Sequence, residues 1–151
     1  MRLAALVLLG FAAHVWAQAP DSSPVGVWQT FDDDTHAPKA LVQVELQHGV
    51  LSGRVVKLFP APGDDPDPRC RGCPGARRNQ RVVGMTILWN FHRDGDTWTG
   101  GEILDPEDGS VYRARVHLRD GGTHLDVHGY IGIPLLGRSQ VWERVKAATT
   151  H

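Results

Sequence analysis

What this chain lacks narrows its reading first. Its 2 cysteines, Cys70 and Cys73, are too few for a disulfide-built scaffold, and two sulfurs fall short of the about four ligands a structural zinc needs. No stretch approaches the ~20 apolar residues of a membrane span, since the longest run, Leu3 to Ala13, is too short. Neither sign of charge dominates. A formal net charge of -1 creates no field that would draw nucleic acid or an anionic membrane. Also missing are Gly-x-Ser-x-Gly, a phosphate loop, His-Glu-x-x-His and a dinucleotide fingerprint. No convincing amphipathic helix occurs. Catalysis is therefore not expected, nor a cofactor, and no metal site is assigned.

The N-terminus is better furnished. Arg2, the apolar run Leu3 to Ala13 and the small-x-small Val15-Trp16-Ala17 have the form of a secretory leader. Cleavage is expected after Ala17. Ala17-Gln18-Ala19 also satisfies the rule, but Pro20 would follow it. No cysteine follows the run to take a lipid. The expected division is a signal peptide over 1–17, a linker over 18–24, one domain over 25–146 and a polar tail over 147–151. Such a protein is exported, to the periplasm or beyond, and losing Arg2 changes its formal charge from -1 to -2.

Beyond the linker the pattern has period two almost throughout. Gly26 to Phe31 reads as a strand, and the acidic Asp32 to Pro38 as a turn. Val42, Val44 and Leu46 alternate with Gln43, Glu45 and Gln47, so one face is dry and the other wet. His48-Gly49 turns the chain into Leu51 to Leu58. Phe59 to Gln80, rich in Pro, Gly, Asp and Arg, is the one long loop. Strands resume over Val82 to His92, Trp98 to Leu104 and Val111 to Arg119, then His124 to Ile131 and about Arg138 to Val145. Regular short strands joined by tight turns predict a single all-β domain, an up-and-down antiparallel barrel of about eight strands. Pairing the last strand with the first would remove both open edges.

Gly26-Val27-Trp28 has the Gly-x-Trp form that opens the first strand of lipocalin-like barrels, where the tryptophan plugs the closed end. A basic side chain of the last strand, Arg138 or Arg144, would then lie across Trp28, with Trp142 on the same face. A cation over an indole contributes ~1–2 kcal/mol when partly desolvated. The alternative is that Trp28 is simply a core aromatic.

These residues, with Cys70-Arg71-Gly72-Cys73-Pro74-Gly75, Gly84-Met85, Gly100 to Pro106, Tyr112, Gly129-Tyr130-Ile131-Gly132, Gly137-Arg138 and Trp142-x-Arg144, carry a resemblance over nearly the whole mature chain. The chain resembles the secreted bacterial domain-of-unknown-function family 2147 (DUF2147). The resemblance implies a small lipocalin-like barrel in exported bacterial proteins, without an assigned activity. Pro134-Leu135-Leu136 departs from the bulkier or more polar bend expected there, which puts a ligand role for that bend in doubt.

Three features have a chemical appearance. Cys70 and Cys73 are expected to bridge in an oxidising compartment, which would hold the crown of the long loop. Arg69, Arg71, Arg77 and Arg78 would favour a reactive thiolate, but no helix follows as in a thioredoxin motif. His124-x-Asp126-x-His128 sets three ligand types on one strand face, yet alternation turns that face to solvent. The acidic runs Asp32 to Asp34 and Asp64-Asp65-Pro66-Asp67 lack the EF-hand spacing and read as solvated loops.

The function expected is binding of a small apolar or amphipathic molecule inside the barrel, by Trp28, Met85, Trp89, Tyr112, Tyr130 and Leu135. Gly26, Trp28, Arg138, Trp142 and Arg144 are assigned structural roles. The long loop and the Ile133 to Leu136 bend are expected to rim the mouth, because structureless loops of that length are usually functional or disordered. The alternatives are an envelope structural or interaction protein whose barrel is filled by its own side chains, and a redox or metal protein working through Cys70 and Cys73.

Overall fold

The computed structural model describes residues 22–146; the expected leader, most of the linker and the tail lie outside them. Eight strands form one closed antiparallel barrel in sequence order: β1 (Gly26–Phe31), β2 (Pro38–Gln47), β3 (Val50–Leu58), β4 (Thr86–Asp94), β5 (Thr97–Leu104), β6 (Val111–Arg119), β7 (His124–Tyr130) and β8 (Gly137–Arg144). The expected up-and-down meander is the observed fold. No helix among the described residues is long and apolar enough to cross a membrane.

Alternation builds the core. Val42 and Val44 of β2, Ala114 and Val116 of β6, and Leu125 and Val127 of β7 are all buried. Leu46, expected on the same dry row, is exposed, because it sits beside the β2–β3 turn where the row runs out into solvent. Strand β4 breaks the alternation. Asn90 takes a left-handed φ of 62°, so that Phe91 turns inward after the adjacent Ile87 and Leu88. The Phe91 ring lies flat on Gly101 of β5, where a Cβ would strike the ring. The strand expected from Val82 begins only at Thr86. Val82 and Met85 are buried in a turn that hydrogen-bonds to Val55 of β3.

The β1–β8 seam closes the barrel, and it is short. Its backbone register consists of Trp28 opposite Arg144 and Gln29 opposite Glu143, with Val145 N–H donating to the Val27 carbonyl at 2.9 Å. A cluster of contacts reinforces this end. The Arg144 guanidinium lies 4.3 Å from the Trp28 ring centroid. It donates to the carbonyls of Gly122 (2.6 Å), Val25 (2.7 Å) and Ser23 (2.6 Å). Trp28 Nε1 donates to the Pro24 carbonyl at 2.8 Å. One arginine therefore joins the N-terminal segment, the β6–β7 turn and β8 over a fully buried tryptophan. Gly26 makes the approach sterically feasible: its φ is 143°, and a Cβ there would collide with Arg144 Nη1.

Arg138, at the other end of β8, pairs with Asp33 at 3.2 Å and is largely exposed. Replacing Arg144 by alanine should cost about 1–3 kcal/mol, through lost packing on Trp28 and three carbonyls deprived of their donor. Arg138→Ala should cost under ~1 kcal/mol, the range for an exposed ion pair. Chemical denaturation of both variants checks this, and equal unfolding midpoints would contradict it.

Candidate functional site

Opposite the Trp28–Arg144 end, the barrel opens into a cavity of about 500 Å³. Val42, Val55, Leu58, Ile87, Ile103, Leu104, Val127 and Trp142 give its wall an apolar stretch, while polar and charged side chains make up a comparable share of the lining. Its mouth is built from three connections that share this end. They are the β1–β2 turn (Asp32, Asp33, Asp34), the β5–β6 turn (Asp105, Pro106, Glu107) and the β7–β8 bend (Ile131, Leu136).

The cavity is there because the seam stops early. Above Gln29 no backbone pairing joins β1 to β8, and side chains span the gap instead. Gln140 Nε2 donates to Asp33 Oδ1 at 3.0 Å, and Trp142 Nε1 donates to Gln140 Oε1 at 3.2 Å. Arg138, Gln140, Trp142 and Arg144 thus form one inward row of β8. The first three line the cavity, and the fourth seals the far end. Thr30, on the facing stretch of β1, is the one buried polar side chain among the described residues at 7% exposure.

Electrostatics set the character of the mouth. Asp32 accepts from the backbone N–H of Thr35 (2.8 Å), from its hydroxyl (2.9 Å) and from the Asp34 N–H (3.1 Å). These bonds, the Thr35 N–H above all, hold its carboxyl below the usual range. The Ser110 N–H does the same for Asp108. Lys39 bonds Glu107 at 2.6 Å, lacing β2 to the β5–β6 turn. Partial burial pulls the lysine down, but the bond to Glu107 and that residue's charge outweigh it, and Lys39 is raised.

Of the six residues expected to bind, the structure places Tyr112 and Tyr130 on the cavity lining. The other four lie elsewhere. Trp28 plugs the closed end, and Met85 is buried in the turn before β4, its carbonyl accepting from Val55 N–H. Trp89 lies on the outer wall, its Nε1 bonded to Glu102 Oε2 at 2.8 Å and Arg77 stacked 4.3 Å from its ring. Leu135 is the tip of the β7–β8 bend, 88% exposed.

The loop from Phe59 to Gln80 contributes nothing to the cavity lining. It folds back on itself through an Arg69–Arg81 bridge and hydrogen bonds from Cys70 N–H to Gln80 and Asn79 N–H to Cys70. The Cys70–Cys73 disulfide, with Cα atoms 5.4 Å apart, is buried at its crown. Gly72 packs its backbone directly on Asp108 and Gly109, so that neither glycine could carry a Cβ. The loop supports a turn of the mouth instead of forming the rim itself.

The His124, Asp126 and His128 row is occupied by local bonds. His124 meets Asp120 at 3.0 Å, Asp126 meets Arg119 at 2.8 Å, and His128 holds Ser139 Oγ at 2.7 Å and the Pro134 carbonyl. Among the described residues no group of three or more His, Cys, Asp or Glu is placed to hold a metal ion.

Sequence reasoning missed Thr30, Lys39, Gln140 and the carboxylates of the β1–β2 and β5–β6 turns as mouth residues. Those turns all lie on the opposite end of the barrel from Trp28, and that relation alone could have pointed to them.

Because Asp32 is depressed, its contribution to the β1–β2 turn is present above the ordinary carboxylate pKa and lost as pH falls through its lowered folded value. The difference in melting temperature between the wild type and Asp32→Asn should therefore stay constant from neutral pH down to that range and vanish below it. A difference that disappears already at mildly acidic pH would contradict this assignment.

The model of the family described as "Uncharacterized protein conserved in bacteria (DUF2147)" matches residues 26–144. Among solved structures the chain is similar to protein HP1028 from the human pathogen Helicobacter pylori, described as belonging to the lipocalin family. The two are 18% identical with a TM-score of 0.70, over 82% of this chain and 84% of that one. No curated protein matches. The family match spans the barrel from the Gly-x-Trp opening to Arg144, and the protein belongs to the DUF2147 family.

Proposed function

We propose that this protein is an exported, non-catalytic carrier or sensor of a small apolar or amphipathic molecule, held in the open end of the barrel. The observation that carries the reading is the cavity: about 500 Å³, with apolar side chains in its wall and polar ones at its mouth, open at one end and sealed at the other by Trp28 and Arg144. Ligand sites of about 300–1,000 Å³ with mostly apolar walls and a few polar groups at fixed places are the usual form for drug-sized molecules. Tyr112 and Tyr130 supply amphipathic surface to that lining. The disulfide and the leader-like N-terminus support export.

A barrel filled by its own side chains would leave no such volume, which weighs against a purely structural role. Burial of both Cys70 and Cys73 weighs against thiol exchange, which requires access to a sulfur.

N-phenyl-1-naphthylamine, a neutral apolar fluorophore, is expected to bind saturably at one site with enhanced emission. Ala40 is buried on β2 and lines the cavity. Ala40→Phe should occupy part of the volume and weaken the probe by roughly ten-fold, since added bulk costs little where space is free. Absence of saturable binding, or unchanged affinity in a folded Ala40→Phe variant, would overturn the reading.

A further inference from the structure

The charge of the mouth and one unpartnered hydroxyl within it say what kind of ligand the cavity takes. Five carboxylates line it, from Asp32, Asp33, Asp34, Asp105 and Glu107, against two cations, Lys39 and Arg138. Both cations are already engaged, Lys39 by Glu107 at 2.6 Å and Arg138 by Asp33 at 3.2 Å. The balance of the lining is therefore three negative charges, set where the apolar wall ends. An entering carboxylate or phosphate would meet no unmatched cation there and several like charges. An entering ammonium would meet the reverse.

The second observation is independent of charge. Thr30, a residue 7% exposed on β1, lines the cavity, and its hydroxyl takes up no hydrogen bond with the described residues but is open to the cavity. A hydroxyl open to the cavity and free of protein partners is available to a ligand that donates to it in place of water. Thr30 stands two residues before Asp32, so its oxygen and the acidic turn face the same region of the mouth. Asp34 adds a carboxylate whose oxygens take up no hydrogen bond or ion pair with the described residues, although its own backbone N–H caps onto Asp32.

Resting on the binding reading above, we propose that the ligand is an amphipathic amine. Its apolar body lies against Val42, Val55 and Val127, and its protonated nitrogen sits at the mouth, donating to Thr30 Oγ1 within the field of the β1–β2 and β5–β6 turns. The selectivity runs against the anionic amphipaths, such as fatty acids, that an apolar cavity alone would accept equally well.

The test is competition against bound N-phenyl-1-naphthylamine at low ionic strength by dodecylamine, dodecanol and laurate, which share a chain and differ in head-group charge. Dodecylamine is expected to displace the probe at roughly ten-fold lower concentration than laurate, with the difference shrinking as salt screens the mouth. Asp34→Lys should narrow that ratio. Thr30→Val, nearly isosteric, should weaken dodecylamine by about three-fold or more. Laurate or dodecanol matching dodecylamine while the probe still binds would overturn the amine assignment and leave the binding reading standing. Failure of the probe itself to bind would overturn the binding reading instead. A ratio unmoved by Asp34→Lys, or dodecylamine unaffected by Thr30→Val, would remove the mouth as its cause.

Discussion

The contact of Arg144 with Trp28 is the constraint on which the rest of this barrel depends. An eight-stranded meander has two free edges until its ends meet, and here they meet over only two backbone pairs. So short a ladder could not by itself hold β1 to β8. The guanidinium adds an indole face and three carbonyl oxygens from two separate stretches of chain, and so makes the closure a small core of its own. Gly26 is part of the same device, because any side chain there would occupy the space of the guanidinium.

Concentrating closure at one end has a consequence at the other. Since backbone pairing stops at Gln29, the upper parts of β1 and β8 are free to stand apart, and the gap between Thr30 and Trp142 becomes internal volume. The chain keeps this end from splaying with side chains: Gln140 and Arg138 to Asp33 across the seam, and Lys39 to Glu107 across the mouth. These polar links are individually weak, as exposed pairs are, and so rearrange at small cost. The disulfide-crowned loop contributes indirectly, by packing Gly72 against the β5–β6 turn.

The fold was legible in the chain because its signals are local. Alternation such as Val42-Gln43-Val44 and turns such as Asp120-Gly121-Gly122 each act within a few residues, and their succession leaves few topologies but a meander. The Gly-x-Trp opening located the closed end through its resemblance to lipocalin-like barrels. The cavity-lining residues were less legible, because lining depends on which end a residue occupies as well as which face it takes. Trp89 reads as an inward aromatic until Asn90 and the Glu102 bond show that its ring belongs to the outer wall. The long loop was misjudged as a rim because its length gives no information about where it packs. Gln140 and Asp33 are 107 residues apart in sequence and become partners only when the barrel closes.

The central claim is that small molecules enter the end opposite Trp28, and the indole N–H groups report on it directly. Trp142 lines the cavity, its Nε1 donating to Gln140, and Trp28 Nε1 is bonded to Pro24 at the sealed end, so the two resonances sample opposite ends of one barrel. Titrating N-phenyl-1-naphthylamine into protein carrying nitrogen-labelled tryptophan should shift the Trp142 indole signal saturably and leave that of Trp28 in place. A saturable shift at Trp28 with Trp142 unmoved would contradict the account.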